Sequence, residues 1–169
     1  MEGRALWLAK PEALLREWSQ AYRYEANEAR PFYAMRSVPE IEQSVAEECE
    51  RRGIKYGLAL FSGAARVAPY TTYNRAFAYV EDGLSDIAEA LDLRPVDSGA
   101  NVVLLSPYDE GIFYGLRDID GAKVVSDLQL YLDLRNNKSR GEEAAEFLYE
   151  RRIEKRWNPE PDQTTPPPQ

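Results

Sequence analysis

The chain is expected to fold as a mixed α/β (α+β) domain, a small central sheet with flanking helices. Three observations predict this. Short apolar runs of strand length, at 56–61, 75–81 and 102–105, alternate with stretches whose apolar residues recur every three to four positions. Serines stand three residues before Glu or Gln at the heads of several of those stretches. The 169 residues are 44% hydrophobic and 11% aromatic, enough for one packed core.

The elements follow in order. Ala5 to Leu8 reads as a short strand, and Pro11 suits the first position of a helix. Leu14, Leu15, Trp18, Ala21 and Tyr22 form one apolar face of that helix, expected to enter the core. Residues 32–37 read as a strand. Ser37 and Glu40 frame a capping box for a helix ending near Arg52, with Gly53 as its stop. Ile41, Val45 and Cys49 share a face, so Cys49 reads as a buried small hydrophobe. The run 56–61 is a buried strand, and Ser62 onward turns into a brief helix. A second apolar strand spans 75–81, followed by a turn and helix over 82–91, then a strand at 102–105. Strands at 112–117 and 122–125 flank Asp118-Ile-Asp-Gly121, where Asp-Gly signals a hairpin. Ser126 and Gln129, and Ser139 and Glu142, head two more helices. The last runs from Arg140 to about Arg156, with Glu142 and Glu143 early and Arg151, Arg152, Lys155 and Arg156 late. That order complements the helix dipole and needs no ligand to explain it. Residues 1–156 read as one domain. Residues 157–169 read as an extended or disordered tail, since 158–169 hold five of the eleven prolines.

Composition excludes several chemistries. The chain has no histidine and one cysteine, which removes Ser-His and Cys-His pairs, His- or Cys-based zinc sites and internal disulfides. No apolar run is long enough for a membrane span, and the N-terminus lacks a signal-peptide pattern, so a cytoplasmic location is expected. Twenty-one basic against 29 acidic residues give a net charge of −8, which disfavours duplex DNA binding by this chain alone.

One stretch is distinctive: Val124-Val-Ser-Asp-Leu-Gln-Leu-Tyr-Leu-Asp-Leu-Arg135 followed by Ser139-Arg-Gly-Glu-Glu-Ala-Ala145. With Ser98-Gly-Ala-Asn-Val-Val-Leu-Leu-Ser-Pro-Tyr-Asp109 and Leu60-Phe-Ser-Gly-Ala-Ala65, it resembles the C-terminal domain of AbiEi-type antitoxins. These are the transcription-regulating antitoxins of type IV toxin–antitoxin (abortive infection) systems. The resemblance covers most of the first 155 residues. Asn101, Gln129, Asp133, Arg140, Gly141 and Glu143 are positions within the matching motifs. The resemblance implies an architecture related to the nucleotidyltransferase fold and a non-enzymatic task, with a cognate toxin as partner. It implies DNA contact only through a separate N-terminal winged helix. No room for one is seen before the Pro11 helix, so a truncated or naturally short relative is expected. Homo-oligomerisation is a further expectation.

Each candidate site has a structural explanation beside the functional one. In a nucleotidyltransferase a strand leads to a Gly-Ser turn, and the next strand carries two metal-binding carboxylates one residue apart. Here Leu58 to Gly63 matches loosely, with Ser62-Gly63 in reversed order. The acids of the next strand, Glu81 and Asp82, are adjacent and project to opposite faces. Two-metal catalysis needs convergent carboxylates, so neither a catalytic residue nor a metal or other cofactor is expected. An active nucleotidyltransferase using magnesium and a nucleoside triphosphate is the alternative, with Asp118 and Asp120, which have the one-residue spacing, as its candidate pair. A structural module is the second. The amides of Ser62 and Gly63, helped by Arg66, could bind an anion, or the helix could pack closely on the sheet. Asp109 could meet a partner or order its loop. Gln129 and Asp133 lie four apart, where a local hydrogen bond or a salt link from Asp133 to Arg135 or Arg140 would explain them. Gly99 and Asn101 read as a tight entry turn, with Asn101 bonding its own backbone. Tyr70, Tyr73, Tyr108 and Tyr114 suggest a protein-binding face.

Overall fold

A computed structural model describes residues 8–138 and 140–158 of the chain. Seven strands form one mixed sheet in the order β4-β1-β5-β3-β2-β7-β6. They are β1 (Glu28–Tyr33), β2 (Tyr56–Leu58), β3 (Ala76–Val80), β4 (Arg94–Pro95), β5 (Val102–Ser106), β6 (Arg117–Ile119) and β7 (Ala122–Val124). β3 runs parallel to β5 from Ala76↔Val102 to Tyr79↔Leu105, and β2 runs parallel to β7. The other neighbours are antiparallel. The class is therefore the expected mixed α/β.

The helices are α1 (Pro11–Ala21), α2 (Val38–Arg52), α3 (Leu60–Val67), α4 (Leu84–Ala90), α5 (Asp127–Arg135), α6 (Gly141–Leu148) and α7 (Glu154–Trp157). A π turn over Tyr149–Ile153 joins the last two into one rod. They fall into two groups. α2 packs on β3, β2 and β7 and meets α4, which rests on β5. α3 packs on β3 and β2 and joins α5 and α6, and α1 attaches through α5.

Several local signals act as read. Pro11 opens α1. Ser37 and Glu40 complete the capping box of α2, with Glu40 Oε2 accepting from the Ser37 amide at 2.8 Å, and the helix closes at Gly53. Ile41, Val45 and Cys49 are buried, and burial pushes the Cys49 thiol up to about 12. Asp120 (φ 50) and Gly121 (φ 78) form the two-residue hairpin loop between β6 and β7, the positive-φ pair that a type I′ turn requires.

Other expectations need correction. The strand expected at 32–37 begins at Glu28 and ends at Tyr33. Its polar start and Pro31 hid it, and it tolerates them because only the two-residue β4 lies outside it. Leu15 of α1 and Tyr22 just after it are buried, but Leu14 and Trp18 are each 48% exposed and Ala21 is exposed too. The apolar face is rotated because the helix touches the body mainly through α5. The strand expected at 112–117 is a 3-10 turn over Glu110–Phe113, and pairing starts at Arg117. Ser126 caps α5 by accepting from the Gln129 amide at 3.2 Å, but Gln129 turns its side chain inward instead of closing the box. α6 starts after Arg140, which sits at φ 57 without a side-chain cap, while Ser139 lies outside the described residues. Leu8 is exposed and not in a strand, and residues 5–7 and the proline-rich segment from 159 also lie outside the described residues. Trp157 ends α7 and packs edge-on against Tyr149 at 6.3 Å.

Candidate functional site

The chain turns sharply where β2 meets α3. Ala59 N donates to Phe77 O at 3.0 Å, and Leu60, fully buried, adopts φ 47. A left-handed leucine costs on the order of 1–3 kcal/mol, and complete burial holds it there. The next residue, Phe61, stands 6.3 Å from the Phe77 ring at a tilt of 49°. Beside this aromatic pair opens a cavity of about 510 Å³, lined chiefly by Phe61, Tyr73, Asn74, Arg75, Phe77 and Arg140. Arg75 Nε donates to Ala100 O at 3.0 Å, and Arg140 Nη1 donates to Thr71 Oγ1 at 3.4 Å. Among the described residues neither guanidinium makes an ion pair. Among the described residues every side chain lining the cavity is neutral or cationic.

Ser62, Gly63 and Arg66 do not open onto a common space. Ser62 is buried and its Oγ accepts from the Phe77 amide at 2.9 Å. A Cβ on Gly63 would lie 2.8 Å from Leu58 O and 2.5 Å from Leu130 Cδ2, so the glycine permits close packing of α3 on sheet and helix. Arg66 reaches Glu42 Oε2 at 3.3 Å and the carbonyls of Ile119 and Asp120. That arrangement matches the packing alternative for the Ser62-Gly63 turn. Asp109 lies elsewhere and accepts from Gly111 N at 2.6 Å, which orders the turn it begins. Glu81 pairs with Lys55 at 3.1 Å, Asp82 accepts from Gly83 N at 2.7 Å, and Asp118 pairs with Lys123 at 3.1 Å. Among the described residues no group of three or more Cys, Asp or Glu side chains is placed to share a metal ion.

The motif positions hold the scaffold together. Asn101 bonds the neighbouring segment and not its own backbone, accepting from Ala34 N at 2.9 Å and donating to Ala34 O at 2.7 Å. Gln129 and Asp133 do bond each other, at 3.0 Å, but inside a larger buried network. Asp133 Oδ1 accepts from Tyr22 OH at 2.7 Å and Tyr79 OH at 3.0 Å, and Asn27 Nδ2 reaches both hydroxyls. No link runs from Asp133 to Arg135 or Arg140: Arg135 pairs with Glu142 and Glu146. Burial drives the Asp133 carboxyl up to about 7, although the bonds from Tyr22, Tyr79 and Gln129 pull it down. Burial and Asp133 itself push the Tyr22 and Tyr79 hydroxyls up. Gly141 allows contact that no side chain would, since a Cβ there would lie 2.2 Å from Leu134 O. Glu143 accepts from Tyr70 OH at 3.2 Å.

Sequence reasoning missed two buried acids. Glu42, 3% exposed, accepts from Tyr73 OH at 3.0 Å as well as from Arg66. Asp127 gathers Arg117 at 2.7 Å, Arg152 at 3.5 Å and Arg156 at 3.8 Å, so part of the terminal basic cluster has a partner besides the helix dipole. The signal for Glu42 was faint: it neighbours Ile41 on a helix otherwise rich in exposed acids. Of the four tyrosines expected at a surface, Tyr114 (84%), Tyr108 and Tyr70 are exposed, and Tyr73 is half-buried against Glu42.

The family model described as transcriptional regulator, AbiEi antitoxin, type IV TA system matches residues 7–154. The chain belongs to the AbiEi antitoxin family. Membership supports a role as antitoxin and transcriptional regulator in a type IV toxin–antitoxin system and implies a cognate toxin as partner. No curated protein matches this AbiEi-family chain closely enough to count as a relative. Among its described residues no helix is long and apolar enough to cross a membrane.

Proposed function

We propose that this AbiEi-family domain acts in the cytoplasm by contact and not by catalysis, neutralising a toxin or supporting repression. One observation carries the reading: the mouth beside Phe61 presents Arg75 and Arg140, not paired carboxylates. The strand, turn and helix of β2 and α3, followed by antiparallel β3, support a nucleotidyltransferase-related scaffold kept without its chemistry. Phosphoryl transfer through two metals needs acids converging on one space. Here Glu81, Asp82 and Asp118 each have a separate local partner. The net charge of −8 weakens attraction to duplex phosphates, so in this reading operator contact falls to a separate winged-helix segment.

Two measurements test it. Incubation with labelled nucleoside triphosphates and magnesium or manganese should give no transfer. Turnover that vanishes in Asp118→Ala or Asp120→Ala would overturn the reading. Co-expression with the product of the neighbouring gene should relieve toxicity. If the two neither associate nor show protection, the antitoxin role loses its support.

A further inference from the structure

We propose that the cavity beside Phe61 is a binding site for a free nucleoside phosphate, which it holds without transforming. Such binding requires no toxin partner. In a chain of net charge −8, Arg75 and Arg140 line the same space, and among the described residues neither is spent on a carboxylate. Each guanidinium carries five N–H donors in a planar fork and is steered by a bond to one neutral acceptor, Ala100 O or Thr71 Oγ1. Donors are left over to meet phosphate oxygens, which match that fork geometry.

The rest of the lining distinguishes a nucleotide from a bare anion. Phe61 and Phe77 give a tilted aromatic wall on which a planar base can stack. The Asn74 amide can both donate and accept at a base edge. The volume, about 510 Å³, falls within the ~300–1,000 Å³ usual for small-molecule sites. The strained Leu60 is the hinge that presents Phe61 to this space, and such strain concentrates at functional positions. Among the described residues no carboxylate lines the cavity, so bound phosphates meet cationic and neutral groups and no metal-bridging pair.

Calorimetry on the full chain, in EDTA and about 150 mM salt, tests this with ATP, GTP, CTP and UTP. Parallel titrations use the nucleosides, pyrophosphate and a 5′-phosphorylated octanucleotide. At least one triphosphate should bind one-to-one with Kd below about 1 mM, and its nucleoside should bind at least tenfold more weakly. Arg75→Gln and Arg140→Gln, both at exposed positions, should each weaken binding about tenfold with Tm unchanged. Phe61→Leu should weaken the triphosphate and spare pyrophosphate. Absence of triphosphate binding, or binding indifferent to both arginine variants, would overturn the proposal. Pyrophosphate binding as tightly as any triphosphate would reduce the cavity to a simple anion site. Tighter binding of the octanucleotide than of every free nucleotide would reassign it to a chain end, and either outcome refutes the claim.

Discussion

At single positions the fold is decided by what a side chain would strike or leave unpaired. Gly63 and Gly141 show the first case. Alanine at Gly63 recovers about 1 kcal/mol of helix propensity, yet its Cβ meets the Leu58 carbonyl at 2.8 Å. At Gly141 the clash is with the Leu134 carbonyl at 2.2 Å, and backbone cannot swing aside as a side-chain end can. Overpacking costs about 1–3 kcal/mol, so Gly141→Ala should lie at the upper end and Gly63→Ala below it. Urea unfolding of both variants checks that order. Glu42 shows the second case. Glu42→Gln leaves Arg66 half-buried without its counter-charge, and a loss of about 2 kcal/mol is expected. Because the pair is sheltered, the loss measured at 0.1 M and at 1 M NaCl should be nearly the same.

Among elements, the clearest signals were those whose physics is local. The α2 cap, the Gly53 stop and the Asp120-Gly121 loop depend on a few neighbouring residues, so spacing alone revealed them. Ser37→Ala should cost about 1 kcal/mol, read as a drop in the urea midpoint. What spacing could not reveal was which face another element would cover. α1 has one apolar stripe in sequence, but of that stripe only Leu15 and Tyr22 are buried. Leu15→Ala should therefore cost about 3 kcal/mol, while Trp18→Ala should cost about 1 kcal/mol or less despite removing the larger ring. Equal losses would mean that Trp18 is buried in solution. The cavity was legible only in part. Arg140 and the Leu60-Phe-Ser-Gly turn stood out as motif positions, but Arg75 and Asn74 enter it through sheet order, which no local pattern encodes.

For the molecule as a whole, one buried carboxylate ties together segments far apart in sequence. Asp133 on α5 binds Tyr22 at the end of α1 and Tyr79 on β3, and Asn27, which reaches both hydroxyls, also accepts from Tyr108 N. Among the described residues no charged group neutralises Asp133, so the folded protein keeps its proton up to about pH 7, whereas the unfolded chain releases it near pH 4. Between those values the folded state binds more protons than the unfolded one. Stability must then fall as pH rises through the window and level off above about 7. This is opposite to the effect of Glu48, held down to about 2 by Arg51 and Arg52. Comparison with Asp133→Asn isolates the buried group, since the amide keeps an acceptor oxygen for the tyrosines and cannot ionise. The expected result is a stability gap between the two proteins that narrows from pH 4.5 to pH 7.5 by urea unfolding. A gap constant over that range would mean that Asp133 is already ionised in the fold, with the tyrosine and glutamine donors alone outweighing its burial.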